Sequence, residues 1–535
     1  MSDAAAPPVK DGDPASAEAA PSEKAVPSAS ATVAERPAYA LAVLSGFLYF
    51  LAFPGIDLWP LSFVALTPLI VAMRGQTAKR AAGLGWAAGF TMTMCGFYWL
   101  LDMLKTFSGF PTPVCLLFMC ILCGYQGGRI ALMGWLHGRG AERGWPPGLA
   151  FSLAFVASEL TFPLLFPWYF GATVHQVPAL TQVAELGNPI VVGLTLVAAN
   201  FAFAELWYAK SDEKRVPVKK VAALLAVPAL SAVYGAIRIP QVDAAVRAAE
   251  KGHVGVVQAN MSLMGKRHDR IEGLRRHLRL TNELKAQGPL DLVVWSETSV
   301  AGAVHEDLAA AEYPKKFTAA LGVPAVFGAV LYKEVSDARE FALYNSALLS
   351  DAQGKIVGRF DKTYLLAFGE YLPLGETFPI LYDWSPNTGK FTPGKRLASL
   401  PLGDKKLTVH ICYEDVIPSF VNRMMRFDSG NLLVNITNDA WFGDSTEPWI
   451  HFALSKFRAI EQRRFLVRST NSGVSGIVDP VGRVVAHTGT FREDSARAEI
   501  AWMSGRTPYN LWGDTPWWLC TLGSVILAFR RRKSA

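Results

Sequence analysis

Three side chains that could take part in catalysis follow three strand-like segments of this chain. Glu297 follows "DLVVWS", Lys362 follows "GRFD" and Cys412 follows "LTVHI". A thiol attacks as the thiolate, a nearby cation lowers its pKa, and a carboxylate within reach accepts its proton. If the fold brings them together, these residues suffice for acyl transfer through a covalent intermediate, without a histidine.

Each of these residues also has a structural interpretation. Glu297 could cap a helix, Lys362 could be a solvated loop lysine, and Cys412 could be a small hydrophobe in a core. Taken one at a time, the structural interpretations are favoured. The chain has six cysteines, and the other five lie in long apolar runs, so Cys412 has no disulfide partner within its own domain.

The surrounding sequence predicts an α/β domain over residues 250–505. Helical patterns alternate with strand-like segments, and "DAQG" (351–354) and "DPVG" (479–482) are typical of hairpin turns. Such alternation predicts a layered domain with a mixed sheet, in which reactive side chains gather where strands end. The strand-like segments lie at 253–260, 291–297, 324–332, 344–351, 355–362, 407–414, 431–439 and 472–479.

Outside this domain the chain carries long apolar runs. Charged residues make up 18% of the chain, and the mean hydropathy is +0.22. Runs of about 17 to 25 apolar residues are long enough to cross a bilayer. We therefore predict a bundle of eight transmembrane helices, at 39–54, 58–74, 83–104, 112–136, 146–166, 190–208, 220–237 and 515–529.

Lys and Arg in the short loops predict the orientation of these helices. The loops after the second, fourth and sixth runs contain "RGQTAKR" (74–80), "GRGAERG" (138–144) and "KSDEKRVPVKK" (210–220), whereas Lys105 is the only Lys or Arg in the loops after the first, third and fifth. Positive loops stay in the cytoplasm. Both termini are therefore predicted to be cytoplasmic, with the α/β domain exported, in a bacterium to the periplasm.

These features divide the chain into five predicted parts. Residues 1–37 form a disordered cytoplasmic tail, 38–240 hold seven transmembrane helices, 250–505 form the exported domain, 514–530 form the eighth helix, and 531–535 are a basic cytoplasmic C-terminus. The net charge of +7 does not indicate a nucleic-acid partner, because the cytoplasmic loops account for the basic residues.

Some polar and aromatic positions allow more than one interpretation. Arg129 and Glu205, within apolar runs, are expected to extend toward the cytoplasmic edge, and Glu159 is left unassigned. The aromatic segment 364–384 either dips into the membrane interface and lines an acyl entry or packs on the sheet. The sequence favours neither interpretation of this segment.

The motifs around the three catalytic candidates resemble the carbon-nitrogen hydrolase (nitrilase) superfamily. They are "VVWSET" at Glu297, "GRFDKTYLLAFGEYLP" at Lys362 and "HICYED" at Cys412, with "NITNDAWF" (435–442) and "RSTNSG" (468–473) in addition. The resemblance implies a nitrilase-like α-β-β-α sandwich with a Glu-Lys-Cys triad. In that triad Glu297 is the general base, Lys362 stabilises the oxyanion, and Cys412 is the nucleophile.

Within that superfamily, the membrane segments resemble the apolipoprotein N-acyltransferase family. The similar motifs are "LAFPGIDLWPLSFVALTPLIVAM" (51–73), "GFYWL" (96–100) and "FPWYFGATVHQVPALTQVAELGNP" (166–189). The sequence departs where the family has Lys followed by Trp, because here Arg267 follows Lys266. The departure leaves the triad intact and falls on a position that the family resemblance assigns to lipid contact.

The family resemblance also implies supporting residues and a reaction. Glu370 matches a second essential glutamate, Tyr413 and Glu414 match required positions beside the nucleophile, and Asn345 matches a supporting asparagine. The implied reaction transfers an acyl chain from a phospholipid through a Cys412 thioester to the α-amine of the S-diacylglyceryl-cysteine of an apolipoprotein. The implied protein is embedded in the bacterial inner membrane.

No cofactor, metal ion or nucleic acid is expected to take part, and we expect a monomer. The nine histidines show no ligand spacing, and no phosphate-binding glycine loop is present. A membrane-anchored amidase that hydrolyses small amides would use the same triad, but it would not need eight membrane helices. A transporter with an exported regulatory domain would show paired discontinuous helices, and no internal repeat is visible. A degenerate scaffold would have lost triad residues.

Overall fold

The structure is a computed structural model that describes residues 32–262, 270–311, 318–335, 341–384 and 388–532. The predicted tail as far as residue 31, and the departure from the family motif at Lys266 and Arg267, lie outside these ranges. Within them, a helical part is followed by an α/β domain and a final apolar helix.

The helical part packs closely through small residues. A Cβ added to Gly89 would lie 2.5 Å from the Gly127 carbonyl oxygen on the neighbouring helix, so only glycine permits this approach. The helices are α1 (Glu35–Leu51), α2 (Thr67–Met73), α3 (Ala78–Gly96), α4 (Leu100–Ser108), α5 (Thr112–Glu142), α6 (Pro147–Thr161), α7 (Pro178–Thr181), α8 (Ala184–Ser211) and α9 (Val218–Ala248).

Three helices in the described part of the chain, α5, α8 and α9, are long and apolar enough to cross a membrane. The second predicted run is divided into the 3₁₀ turn Trp59–Phe63 and α2, and the third into α3 and α4. The break in the third run falls where Phe97 and Trp99 turn inward and pack against other aromatic rings. Such a break depends on tertiary packing, which an apolar run alone does not reveal.

Arg129 is buried, and the prediction that it extends toward the cytoplasmic edge is wrong. Its guanidinium lies 3.0 Å from the Glu159 carboxylate, and its side chain is only 3% exposed. It also donates to the Trp168 carbonyl. The sequence could not predict this because the neutralising carboxylate lies on another helix; the pairing gives Glu159 a structural role. Glu205 accepts a hydrogen bond from Lys220 at 2.6 Å.

The α/β domain contains two sheets. The seven-stranded sheet has the order β13-β1-β2-β4-β5-β6 with β3 beside β4, and the six-stranded sheet has the order β12-β11-β10-β9-β8-β7. The strands are β1 (Lys251–Gln258), β2 (Leu292–Val294), β3 (Val300–His305), β4 (Ala325–Glu334), β5 (Phe341–Ser350), β6 (Ile356–Asp361), β7 (Leu400–Leu402), β8 (Lys405–Ile411), β9 (Leu432–Thr437), β10 (Leu466–Thr470), β11 (Gly476–Val478), β12 (Val484–His487) and β13 (Asp494–Ala501).

Helices cover the outer faces of the two sheets and give the domain its α-β-β-α layers. The helix Arg270–Ala286 packs on the seven-stranded sheet, and the helices Pro418–Phe427 and Glu447–Gln462 pack on the six-stranded sheet. Turns at 351–354 and 479–482 join antiparallel strand pairs, as predicted. The helices are α10 (Arg270–Ala286), α11 (Glu306–Ala311), α12 (Ile380–Trp384), α13 (Pro418–Phe427), α14 (Glu447–Gln462), α15 (Pro508–Trp512) and α16 (Thr515–Phe529).

Buried polar contacts join the α/β domain to the helical part. Arg463, just after α14, donates to the Glu185 carboxylate at 2.8 Å and to the Gln182 side chain at 2.7 Å. Lys456 on α14 donates to the His175 carbonyl at 3.0 Å. Since these groups are largely removed from water, the contacts fix how the domain sits on the helices.

Candidate active site

The three predicted triad residues lie between the two sheets. Glu297 follows β2 and Lys362 follows β6 in the seven-stranded sheet, whereas Cys412 follows β8 in the six-stranded sheet. Gly328 on β4 allows the Glu297 segment to approach, because a Cβ at this position would lie 2.7 Å from the Glu297 Cα. Strands from both sheets therefore deliver the three side chains to one place.

One ammonium and two carboxylates form the centre of the site. Lys362 Nζ lies 2.7 Å from Glu370 Oε2 and 3.6 Å from Glu297 Oε1. Asn345 Nδ2 donates to Glu297 Oε1 at 2.6 Å and to Glu370 Oε1 at 2.8 Å. Although burial opposes the charged form, Glu370, Cys412 and Glu297 raise the pKa of Lys362 well above its usual value. Lys362 is therefore a fixed positive charge.

Cys412 occupies a sharp turn beside this centre. Its φ of 54° is in the left-handed region, which is costly for a residue with a Cβ, and it begins the 3₁₀ turn Cys412–Val416. Burial raises the pKa of the Cys412 thiol well above its usual value, and the charge of Lys362 acts in the opposite direction. The resting side chain is therefore a thiol, and its attack requires a base such as Glu297.

Glu414 ties the nucleophile turn to the segment that follows Lys362. Its carboxylate accepts backbone hydrogen bonds from Thr363 at 2.6 Å, from Tyr364 at 3.0 Å and from Ile411 at 2.7 Å. Burial raises the pKa of Glu414 to about 7, although these N–H groups favour the ionised form. Glu414 thus holds the two strand ends that carry Lys362 and Cys412 in a fixed relation.

Tyr413 connects the nucleophile turn to the helical part. Its ring stacks on His451 with the centroids 4.5 Å apart, and it meets the Phe166 ring edge-on at 5.9 Å. Phe166 lies in the connection between α6 and α7, so an aromatic contact runs from the helices to the residue after Cys412. The Tyr413 hydroxyl donates to Glu447, whose pKa burial raises to about 8.

A second cluster of buried charges lies behind Cys412, and we call it the rear cluster: Asp415, Asp439, His451 and Arg468. His451 lies between the two aspartates, with Nε2 2.9 Å from Asp415 Oδ1 and Nδ1 3.1 Å from Asp439 Oδ1. Arg468 donates to Asp415 at 3.1 Å and to Asp439 at 2.8 Å. It also donates to Asn435 at 2.9 Å, and Asn435 Nδ2 donates to the Cys412 carbonyl at 3.1 Å.

The sequence did not point to the rear cluster as a unit. The sequence feature that could have revealed it is the presence of the polar residues Asn435 and Arg468 within β9 and β10, since both strands are buried along their whole length. Asp439, Glu447 and His451 also place possible metal ligands within 4.8 Å of one another. Arg468 donates to Asp439 and Tyr413 donates to Glu447 Oε1, whereas Glu447 Oε2 has no hydrogen-bond partner among the described residues. The guanidinium supplies the positive charge that a metal ion would supply.

The aromatic segment 364–384 is exposed on the surface of the domain. Leu374 is 68% exposed, and several further apolar side chains of the segment are also exposed. This favours the first of the two interpretations that the sequence left open, a surface available to the membrane interface, over packing on the sheet. The other exposed side chains are Tyr364, Phe368, Tyr371, Phe378 and Ile380.

Comparison with known proteins agrees with this architecture in both parts of the chain. Residues 253–507 match the family model for the carbon-nitrogen hydrolases, and residues 45–202 match the model for the apolipoprotein N-acyltransferase N-terminal domain. The fold and the site thus define an enzyme of the carbon-nitrogen hydrolase class whose catalytic domain is joined to a bundle of apolar helices.

Relatives of nearly full length narrow this class to one family. A protein of Geobacter metallireducens named apolipoprotein N-acyltransferase is 31% identical over 92% of this chain and 96% of its own length. A protein of the same name from Bdellovibrio bacteriovorus is 29% identical over 91% of this chain and 92% of its own length. Among solved structures, the match with Saccharomyces cerevisiae Nit3, a member of the nitrilase superfamily, is shorter. It covers 50% of this chain and 95% of the Nit3 chain, at 17% identity and a TM-score of 0.36. The chain belongs to the apolipoprotein N-acyltransferase family.

Proposed function

We propose that this enzyme transfers an acyl chain from a phospholipid to the α-amine of the S-diacylglyceryl-cysteine at the start of apolipoproteins. The observation that carries the proposal is the presence, in one chain, of the family's N-terminal domain and of an intact Glu297, Lys362 and Cys412 cluster. A substrate pair that is lipid-anchored on both sides accounts for a catalytic domain that is fixed to membrane helices.

In the first half of the proposed cycle, Glu297 accepts the Cys412 thiol proton and the thiolate attacks the carbonyl carbon of the sn-1 ester. Lys362 stabilises the oxyanion, a contribution that is usually among the largest in acyl transfer. As the intermediate collapses, the ester C–O bond breaks and Glu297 returns the proton to the leaving lysophospholipid. Cys412 then holds the acyl chain as a thioester.

In the second half, the free α-amine of the diacylglyceryl-cysteine attacks the thioester carbon. A second oxyanion forms beside Lys362, Glu297 accepts a proton from the attacking amine, and the C–S bond breaks. The proton passes to the departing Cys412 sulfur, so the thiol is restored and the product is an amide. Cys412 is only 5% exposed, which keeps water from hydrolysing the thioester between the two steps.

The supporting residues act by position. Glu370 and Asn345 hold Lys362 and Glu297 at the distances given above, and Glu414 fixes the loop after Lys362 to the nucleophile strand. Tyr413, the residue after Cys412, contacts Phe166 of the helical part. These residues set the geometry in which one carboxylate can move a proton between sulfur, oxygen and nitrogen.

We further propose eight membrane helices, both termini in the cytoplasm, and the domain of residues 250–505 in the periplasm. The basic loops that follow α2, α5 and α8 support this orientation. The exposed apolar segment 364–384 supports contact of the domain with the membrane surface, where both substrates lie. A monomer suffices, since one chain contains every group that the cycle requires.

The test is the intact mass of the purified full-length protein after incubation with a defined phospholipid in detergent. We expect the wild type to gain one acyl mass, to lose it on addition of a diacylglyceryl-cysteine peptide, and to keep it in buffer alone. Cys412→Ala should gain no mass. If the wild type gains no mass from phospholipid and instead hydrolyses small amides, the acyltransferase proposal fails.

A further inference from the structure

The helical part contains a cavity of about 990 Å³ that shares no residue with the site between the sheets. All its lining residues lie between positions 70 and 224, in α2, α5, α6, α8, α9 and the connections beside them. Its volume is at the upper end of the range for ligand pockets, about 300–1,000 Å³. The cavity is therefore large enough for a ligand and is separate from the proposed reaction.

Four basic and three acidic side chains line the cavity, the acidic ones being Glu142, Glu205 and Asp212. Asp212 engages two of the basic side chains, accepting from Arg74 at 2.9 and 2.7 Å and from Lys214 at 3.2 Å. Lys220 pairs with Glu205, but Arg215 makes no ion pair or hydrogen bond within the described ranges. The basic side chains that line the cavity are Arg74, Lys214, Arg215 and Lys220.

A buried imidazole without a partner also lines the cavity. His137 on α5 is 6% exposed, and its Nδ1 atom has no hydrogen-bond partner in the part of the chain that the structure describes. Its ring packs edge-on against Phe151 with the centroids 5.4 Å apart. A buried polar atom that is left unpaired is costly, so this one indicates that the cavity accommodates a polar ligand.

Much of the remaining lining is apolar and reaches the outer surface of the helices, although Gln76, Ser152 and Tyr208 also contribute polar groups. Ile70, Phe201 and Leu224 contribute to it, and Leu149 on α6, which also lines the cavity, is 46% exposed. The cavity thus has one more basic than acidic side chain in its lining, together with a hydrocarbon surface that reaches the outside of the helices. A molecule that suits both has an anionic head and an apolar chain.

We infer that this cavity binds the phosphate group of an anionic phospholipid, whose acyl chains lie along the apolar wall beside Leu149. Basic pockets between membrane helices near the cytoplasmic surface are typical sites for such headgroups. The basic loops around the cavity are those that the proposed orientation places in the cytoplasm, so this lipid belongs to the leaflet opposite the catalytic domain. It is held and not consumed, because no residue of the catalytic cluster lines the cavity.

The test is native mass spectrometry of the delipidated full-length protein in detergent, with three probes. These are a phosphatidylglycerol, a phosphatidylcholine of the same chains, and sn-glycerol 3-phosphate. We compare the wild type with the double variant Lys214→Gln/Arg215→Gln and with Lys210→Gln/Lys219→Gln. The second variant loses the same charge from the same segment at exposed positions that do not line the cavity. Denaturation separates bound lipid from the covalent acyl mass on Cys412.

We expect one preferentially bound phosphatidylglycerol on the wild type and on the control, and about tenfold weaker binding to Lys214→Gln/Arg215→Gln. Leu149→Trp should also weaken binding, because it narrows the cavity without changing charge. Equal binding to all variants, or an equal loss in both double variants, would overturn the inference. Saturation by glycerol 3-phosphate at the same concentration would indicate a soluble phosphate ester and overturn the lipid assignment. None of these outcomes depends on acyl transfer.

Discussion

Two clusters of buried charges lie on opposite sides of Cys412, and they differ in how completely the protein satisfies them. In the rear cluster, every nitrogen of the Arg468 guanidinium donates to a protein acceptor, including Asp415 and Asp439. In the front cluster, which consists of Glu297, Asn345, Lys362 and Glu370, Asn345 Oδ1 has no hydrogen-bond partner among the described residues. The front cluster thus retains capacity for substrate, whereas the rear cluster is closed. Under the proposed function, we expect the front cluster to perform the chemistry and the rear cluster to hold the nucleophile turn in place.

The largest expected effect is that of removing the nucleophile. Cys412→Ala should abolish acyl transfer, by a factor on the order of 10⁶ as for other enzymes that lose a catalytic nucleophile. The measurement is the rate of peptide acylation by the full-length protein. Cys520→Ser, which changes a cysteine of α16 outside the catalytic domain, is the control and should act as the wild type. Residual acylation by Cys412→Ala above that of a heat-inactivated sample would contradict the proposed mechanism.

A swap of cations in the front cluster should impair catalysis without unfolding. Lys362→Arg keeps the charge but replaces a compact ammonium with a planar fork, which cannot occupy the same point between Glu297 and Glu370. We expect kcat/KM to fall by about 10²–10³. The thermal unfolding midpoint in detergent should change little. Wild-type turnover in this variant would show that Lys362 does not stabilise the oxyanion.

The reverse swap in the rear cluster should have the opposite consequence. Arg468→Lys keeps the charge but loses most of the hydrogen bonds to Asp415, Asp439 and Asn435, which we expect to cost about 3 kcal/mol of stability. Thermal unfolding should occur at a lower temperature, while kcat at low temperature should stay within a few-fold of the wild type. A large loss of kcat with an unchanged unfolding temperature would show that the two clusters act together in catalysis.

The amide that joins the two front carboxylates should contribute less. Asn345→Leu removes one donor to Glu297 and one to Glu370, and hydrogen bonds to charged groups contribute about 1.5–3 kcal/mol each. We expect kcat/KM to fall by about 10- to 100-fold. Asn345→Asp, which puts a third carboxylate beside Lys362, should be worse than Asn345→Leu. If both variants are as active as the wild type, the Asn345 amide contributes only to packing and not to catalysis.

The smallest expected effect is on pH dependence. The pKa of Glu414 is raised to about 7, so this carboxylate gains a proton as the pH falls through 7 and its hold on the backbone N–H groups weakens. We expect kcat/KM of the wild type for the phospholipid, which reports only formation of the thioester, to decline on the acid side with a midpoint near pH 7. In Glu414→Gln, which cannot titrate, this decline should disappear from the residual activity. Glu376→Gln, at an exposed position of segment 364–384, should retain the wild-type profile.

The contrast between the clusters also explains what the sequence could predict. Glu297, Lys362 and Cys412 stand at ends of strand-like segments, and the topology of the sandwich brings such ends together, so the front cluster was expected and is found. Their catalytic roles remain predictions. The rear cluster depends on pairings between residues up to 53 positions apart, such as Asp415 and Arg468, which no local pattern reveals.

The fold was predictable to a similar degree. The hairpins at 351–354 and 479–482 were predicted from turn residues alone and are present. The strands β3, β7, β10, β12 and β13 were missed. β7, β10 and β12 have three to five residues, which give too little periodicity to be recognised, and β3 and β13 contain few β-branched or aromatic residues. The division of the third apolar run into α3 and α4 was missed as well, since the packing of Phe97 and Trp99 decides it.

The contact between Arg463 and the helical part sets an order of assembly. Its partners Glu185 and Gln182 lie 278 and 281 residues earlier in the chain, so the ribosome has completed them long before Arg463 is made. Without them, a guanidinium that is almost wholly buried would lack its counter-ion, a condition that is strongly destabilising. We therefore expect the helices to serve as a template on which the later domain completes its folding, so that the α/β domain made alone should be less stable than in the whole chain.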